Sequence, residues 1–333
     1  MAKKITYQAI AEKTGISVST ISRIINGTTA VSEDKKAQVL RAMEELGSDI
    51  AAFQGKDADK SAEPLVLVQL NSISNPFCTE VIRGIRTVAE AQGCDVLIRE
   101  QGEINIYNIE QLLKVVRRIN VSGIICMDTL QNEVQRRLKL AVPFVHCGER
   151  DEDGLVPYVS IDDESSAYKA VEMLIMHGNK NIVLVNGPRN YRYAQGREAG
   201  YRKALAAFNL ECKARNIIYA SDINYDMALS SVSQIFYRQD RPDAVFAASD
   251  VLAAAVLSAA KSSGLRVPED VEVIGFDNTD ISRMCIPSIT TVSQPRYQMG
   301  LTSCEMLLKL IRGEENVQSI MLNTELVLRD STR

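Results

Sequence analysis

The chain has 333 residues, 46% of them hydrophobic, a formal net charge of -4 and seven cysteines. That is enough chain to bury a sizeable core and to form two or three domains, and the mildly acidic balance gives no chain-wide signature of nucleic-acid binding. No apolar run approaches the roughly 20 residues of a membrane-spanning helix. The opening MAKKITYQAIAEK has no apolar stretch of the secretory kind, which points to the cytoplasm.

Cys78, Cys94, Cys126, Cys147, Cys212, Cys285 and Cys304 are scattered and lack C-x-x-C spacing. They read as small core residues of a reducing compartment rather than a disulfide framework. His146 and His177 are isolated, with no third donor at useful spacing, so neither a metal nor a cofactor is expected.

In chain order, the first predicted elements are three short helices. Thr6 can cap one over YQAIAEK with Ile10 and Ala11 inward, and Gly15 supplies a turn. Ser17 can cap a second that runs to Asn26-Gly27. A third follows Ser32, with Glu33 and Asp34 at its positive end and Val39, Leu40, Met43 and Leu46 as its apolar stripe. Two helices joined through a glycine turn form a helix-turn-helix pattern. Within ISVSTISR, Ile16 to Arg23, apolar residues keep helical spacing while Ser19, Ser22 and Arg23 share another face with Asn26. Residues 1–47 carry seven basic and five acidic side chains, about +2 within an acidic whole.

Residues 48–64, SDIAAFQGKDADKSAEP, mix Gly, Pro, Ser and charge without periodicity and read as a linker. Beyond Pro64 the chain alternates strand-like runs (LVLVQL, CDVLIRE, GIICMD, PFVHCG, NIVLVNG, DAVFAAS, VEVIGFD) with amphipathic helical ones. Such alternation predicts parallel sheets covered by helices, and its length predicts two doubly wound lobes. The expected limits are 1–47 for the helical headpiece, 48–64 for the linker, 65–163 with about 294–320 for one lobe, and 164–293 with about 321–333 for the other.

Enzyme signatures are missing: there is no G-x-G-x-x-G after a strand, no G-x-x-x-x-G-K-[ST], no G-x-S-x-G and no H-E-x-x-H. No catalytic residue is therefore expected. Ligands of open parallel sheets bind at the carboxyl ends of strands. The polar residues there are Asn75 and Phe77, Asp128, Gly148-Glu149, then Tyr191, Arg192, Tyr193 and Arg197, Asp250 and Asp277. Plainer roles compete: Asp250 and Asp277 as helix caps, Arg197 paired with a local acid, Val18 as a packed residue.

The run ITYQAIAEKTGISVSTISRIINGTTAVSEDKKAQVLRAMEELG resembles the DNA-binding headpiece of the lactose-repressor/galactose-repressor (LacI/GalR) family. Further ordered resemblances follow in NPFCTEVIRGI, VPFVHCGER, YVSIDD, GREAGYRKAL, DAVFAASD, GLRVPEDVEVIGFDN, ITTVSQP and LVLRDSTR. GFDNTDISRMCIPSITTVSQPRY and the STR ending look most like the cytidine-repressor and purine-repressor branch.

The resemblance implies an all-α helix-turn-helix headpiece before a two-lobed α/β core of periplasmic-binding-protein type. It implies a bacterial transcription regulator, expected to be a repressor, that binds double-stranded operator DNA as a homodimer or tetramer. A small hydroxylated effector, sugar-like or a nucleoside, would sit between the lobes. Base contacts fall on Val18, Ser19 and Arg23. Phosphate contacts suit Thr6, Tyr7, Ser17, Thr20, Ser22, Asn26 and Ser32. Arg197, Asp250 and Asp277 match the hydroxyl-gripping set, with Asn75, Phe77, Asp128, Tyr191 and Tyr193 around it.

Two departures stand out. The stretch after Leu46-Gly47 lacks the tyrosine, proline and arginine of the usual hinge helix, leaving Ile50 or Phe53 as the apolar insert into the minor groove. Ser221-Asp222-Ile223 stands where many relatives have Gly-Asp-aromatic, and Cys78 where a second aromatic often follows, which weakens base sandwiching. The competing reading is a cytoplasmic small-molecule binding protein whose coupling to DNA is impaired by its linker.

Overall fold

The computed structural model describes residues 7–18, 20, 21, 24, 33–45, 63–100, 104–151 and 153–333. The chain divides into two compact units, Met1–Glu63 and Pro64–Arg333.

In the first unit, helix α1 spans Tyr7–Thr14 and helix α2 spans Glu33–Glu45. α1 stops at Gly15, whose φ of +68° suits a residue without Cβ and whose N–H returns to the Ala11 carbonyl at 2.9 Å. Helical backbone resumes at Val18, Thr20, Ile21 and Ile24. Its cap is Ser17, whose Oγ accepts the Thr20 N–H at 3.3 Å. Ile10, Ile21 and Val39 form a small buried core flanked by Ala11, Ile16 and Ile24. Gln38 donates to the Thr14 carbonyl and ties α2 to the turn.

The second unit holds two sheets of six strands each. The first contains β1 Leu65–Leu70, β2 Asp95–Glu100, β3 Gly123–Cys126, β4 Phe144–Cys147, β5 Tyr158–Ile161 and β11 Ile320–Leu322. Their order is β11-β5-β4-β3-β1-β2, every pair parallel. The second contains β6 Ile182–Asn186, β7 Ile217–Tyr219, β8 Ala244–Ala247, β9 Glu272–Asp277, β10 Thr290–Ser293 and β12 Glu325–Val327, in the order β12-β10-β9-β8-β6-β7. Here the structure departs from an all-parallel expectation, because β12 returns from the other lobe and pairs antiparallel to β10 as an edge strand.

The central strands β1, β3, β4, β6 and β8 are buried apolar runs covered on both faces, which is what parallel sheets require, while the edge strands β2, β11 and β12 are part-exposed. Helices α3 Pro76–Ala91, α4 Ile109–Arg118, α5 Asn132–Ala141 and α11 Arg296–Ile311 flank the first sheet. Helices α6 Asp163–Met176, α7 Arg192–Ala207, α8 Tyr225–Val232, α9 Asp250–Ser262 and α10 Asp280–Met284 flank the second. The chain crosses between lobes after β5, after β10 and after β11. The last crossing follows Leu322 rather than residue 320, because Ile320–Leu322 pairs along β5. α3 and α11 touch backbone to backbone at two glycines. A Cβ on Gly84 would lie 2.2 Å from the Tyr297 carbonyl oxygen, and one on Gly300 would lie 2.0 Å from that of Val81.

In each sheet the first strand has its successor on one side and the third strand on the other. That is the switch point where the loops part and leave a crevice.

Candidate functional site

The carboxyl ends of both sheets border one cleft whose empty space, open solvent included, is about 800 Å³. Asn75, Phe77, Asp128, Tyr191, Tyr193, Arg197 and Asp277 all line it. Glu149 lines it too, as do Asp222 and Ile223 of the atypical Ser-Asp-Ile run.

Arg197 rises from the first turns of α7 and is 5% exposed. Its Nε donates to Asp163 Oδ1 at 2.9 Å and its Nη1 to the Ala248 carbonyl at 2.5 Å, while Asp277 Oδ1 lies 3.8 Å from Nη1. The guanidinium carbon sits 3.6 Å from the Phe276 ring centre and 4.9 Å from that of Tyr193. This packing fixes the planar fork before any ligand arrives. Tyr193 fits because Gly187 leaves room: a Cβ there would meet its hydroxyl at 2.3 Å.

Asp277 ends β9 with φ of +102°, followed by Asn278 at +53°. Such values are costly for residues with a Cβ and persist only where neighbours enforce them. Those neighbours are Gln294, which donates to Asp277 Oδ1 at 2.7 Å, and Ser293, Arg296 and Arg329, which bond Asn278. Burial raises the Asp277 carboxyl above the ordinary range, and Arg197 pulls it partly back.

On the first lobe, Asp128 is 3% exposed and neither carboxyl oxygen has a hydrogen-bond partner among the described residues. Burial pushes its pKa up to about 7; the Gln69 amide and the Asn71 N–H temper the rise without reaching good hydrogen-bond geometry. Glu149 follows Gly148, whose φ of +90° turns the chain out of β4. It accepts the Thr129 hydroxyl at 2.7 Å, and burial raises it to about 7 as well. Asn75 lines the cleft while capping α3, its Oδ1 accepting the Phe77 N–H.

Asp250 departs from its expected effector role. Fully buried, it is absent from the cleft wall and spends its carboxylate inside the loop scaffold. It accepts the Thr279 N–H at 2.6 Å, the Thr279 hydroxyl at 2.9 Å and the Thr291 hydroxyl at 2.6 Å. Ser249, one residue earlier, caps α9 through the Leu252 N–H and is the residue at the cleft. Gln294 is a cleft residue that sequence reasoning misses. Its place at the carboxyl end of β10 is the signal that could have found it.

In the first unit, Val18 is 43% exposed while Ile21 three residues on is fully buried, so the helix presents one packed and one open side. The Ser17 hydroxyl engages that of Thr20 at 2.8 Å as well as capping. Thr6, Ser19, Ser22, Arg23, Asn26, Ser32 and the linker candidates Ile50 and Phe53 lie outside the described residues, as does the Tyr7 side chain.

Residues 6–47 match the family model described as bacterial regulatory proteins, lacI family, and residues 171–332 match a periplasmic binding protein-like domain. Catabolite control protein A of Priestia megaterium is 30% identical over 99% of this chain and 99% of its own length. The chain belongs to the LacI family. It is a DNA-binding transcription regulator of that family. The HTH-type transcriptional repressor CytR of Escherichia coli strain K12 is likewise 30% identical, over 98% of this chain and 96% of its own, so identity does not single out one branch. The lac repressor dimer bound to operator and the anti-inducer ONPF superimposes with a TM-score of 0.74 at 26% identity over 99% of both chains.

Among the described residues, no helix is long and apolar enough to cross a membrane, and no group of three or more His, Cys, Asp and Glu side chains is arranged to hold a metal ion. His146 is a core residue edge-on to Phe144, and His177 pairs with Glu272.

Proposed function

We propose that this LacI-family chain is a repressor that binds operator DNA as a homodimer through residues 1–47 and answers to a small hydroxylated effector in the cleft. The observation that carries the effector reading is the pre-set pair of Arg197 and Asp277, one held by Asp163 and two rings, the other by Gln294 and a strained turn. Such a guanidinium and carboxylate grip vicinal hydroxyls by charge-assisted bonds. A sugar-like ligand is preferred to a nucleoside, because Cys78 and Ile223 line the cleft at the two positions where an aromatic residue would help Phe77 to sandwich a base.

For the DNA end, an exposed Val18 at the start of a capped helix suits base contact in the major groove, and we assign Ser19 and Arg23 to the same edge. Thr6, Tyr7, Ser17, Thr20, Ser22, Asn26 and Ser32 are assigned to phosphates. A dimer is supported by the geometry of half-site reading, and by a groove beside α3 and β2, where Ile73, Ile82 and Ile98 lie among Thr79, Arg83, Arg86, Thr87 and Glu90, that a second copy would cover. Effector binding then shifts the balance between lobe arrangements, and so the spacing of the headpieces.

The test is selection of a DNA site from random sequence with the full chain, then titration of that site with and without sugars and nucleosides. Residues 64–333 alone should keep effector binding and lose the site. Specific DNA binding by that fragment, or effector binding untouched by Asp277→Ala, overturns the reading.

A further inference from the structure

The charges of the cleft do not balance. Asp128, Glu149, Asp222 and Asp277 line it, and among the described residues the lining holds one guanidinium, that of Arg197. That guanidinium is already engaged by Asp163, a carboxylate outside the lining, and by the Ala248 carbonyl. On the first lobe the deficit is sharpest. Asp128 has both oxygens buried and unpartnered among the described residues, and Glu149 has the Thr129 hydroxyl on one of its oxygens. The backbone N–H and the guanidinium of Arg192 also favour the Glu149 carboxylate, although Arg192 does not line the cleft.

These two carboxyls are neighbours by topology. β3 and β4 are paired with Cys126 opposite His146, so Asp128 and Glu149 follow the ends of adjacent strands. The Thr129–Glu149 hydrogen bond joins the two ends. A buried carboxylate without a donor, as at Asp128, is costly. Neutral hydroxyls would supply donors without favouring ionisation of the two carboxyls, and an anionic ligand would oppose it. A ligand that brings both N–H donors and a positive charge meets both needs.

We propose that the effector is a protonated aminopolyol, of the amino-sugar class, whose ammonium group sits between Asp128 and Glu149 while its hydroxyls meet Arg197 and Asp277. This inference rests on the effector reading above and names the chemical class of its ligand. Phosphorylated sugars and sugar acids are excluded by the same charge argument, and Phe77 and Met127 give the carbon skeleton an apolar wall.

Calorimetric titration of the full chain tests it with matched pairs: glucosamine, galactosamine, mannosamine and glucamine against glucose, galactose, mannose and sorbitol. At least one amine should bind about tenfold or more tightly than its hydroxyl counterpart, and N-acetylation should remove the gain. Asp128→Asn should erase the preference of the amine over its hydroxyl counterpart; Glu149→Gln should do the same and serves if the first variant folds poorly. No amine preferred over its counterpart, or a preference that survives both variants, overturns the proposal. If hydroxyl compounds bind in an Asp277-dependent way with no amine advantage, the proposal fails and the effector reading stands. If neither amines nor neutral sugars and nucleosides bind, both fail.

Discussion

Asp163 accepts a 2.9 Å hydrogen bond from Arg197 Nε, so the residue that opens α6 sets the direction of the guanidinium on α7. Both side chains are more than nine-tenths buried, and removal of either partner strands the other. Arg197→Ala should cost about 3 kcal/mol of stability in chemical unfolding and abolish effector binding. Adding Asp163→Asn to it should restore part of the stability and none of the binding. Equal stability losses from the double variant and the sum of the singles would show that the two side chains do not act as a pair.

Gly84 and Gly300 predict a purely steric effect. Gly300→Ala places a methyl group against the Val81 carbonyl, so α11 must lift from α3, at a cost of about 1–3 kcal/mol. Thermal unfolding of residues 64–333 measures it. Gly154→Ala, whose added Cβ meets open space, provides a contrast in which only the backbone conformation at φ +66° is challenged.

The buried carboxyls predict a pH dependence of definite sign. Asp128 and Glu149 have folded pKa values of about 7, above the roughly 4 of unfolded carboxyls. Between those limits the native state holds protons that the unfolded state has released, so each group makes stability fall as pH rises, with the loss complete above about pH 7. His146 opposes this. Burial lowers it to about 4, so acid favours the unfolded chain, in which it is free to protonate. A difference measurement separates them: Asp128→Asn should lose less stability than the parent between about pH 5 and pH 7.5, by on the order of 2 kcal/mol. Identical slopes would mean that Asp128 titrates normally.

At the DNA end, Ile21 and Val18 predict opposite outcomes. Ile21→Ala empties the headpiece core, should cost about 3 kcal/mol and should weaken all DNA binding by unfolding that unit. Val18→Ala should leave the circular dichroism of the headpiece unchanged and alter the preferred site. Under the proposed assignment of Arg23 to base contact and Thr20 to phosphate contact, Arg23→Ala should weaken the selected site more than random DNA, whereas Thr20→Ala should weaken both about equally. Anisotropy titrations against the two DNAs tell these apart.

Much of this arrangement is legible in the sequence because the rule behind it is local. A buried run followed by a polar residue marks a strand's carboxyl end, and that pattern points to Asn75, Asp128 and Asp277, whereas Arg197, on a helix, is singled out by the family resemblance; all four line the cleft. The same rule fails at Asp250, because strand-end position does not say which way a carboxylate turns. The decision lies in Gly275 of the neighbouring strand, where a Cβ would meet Asp250 Oδ1 at 2.6 Å, and in the hydroxyls of Thr279 and Thr291. Three distant stretches must meet before that pocket for a carboxylate exists. Gln294 escapes the rule for a related reason: its target, the Asp277 turn, is a partner in space and not in sequence. The antiparallel β12 likewise follows from the last crossover rather than from its own residues.

The discontinuity of the lobes has a consequence for the order in which the protein is made. β1 to β5 leave the ribosome first, yet the face of their sheet is closed only by α11, whose Met299, Cys304 and Leu307 join Val81 and Ile85 in the core. The lobe begun earliest is therefore finished among the latest, after the strands β6 to β10 of its neighbour have been synthesised. A nascent chain holds that apolar surface uncovered for most of its synthesis. A stop codon shortly before residue 296 would deprive the oldest part of the core, rather than the newest, of its covering helix.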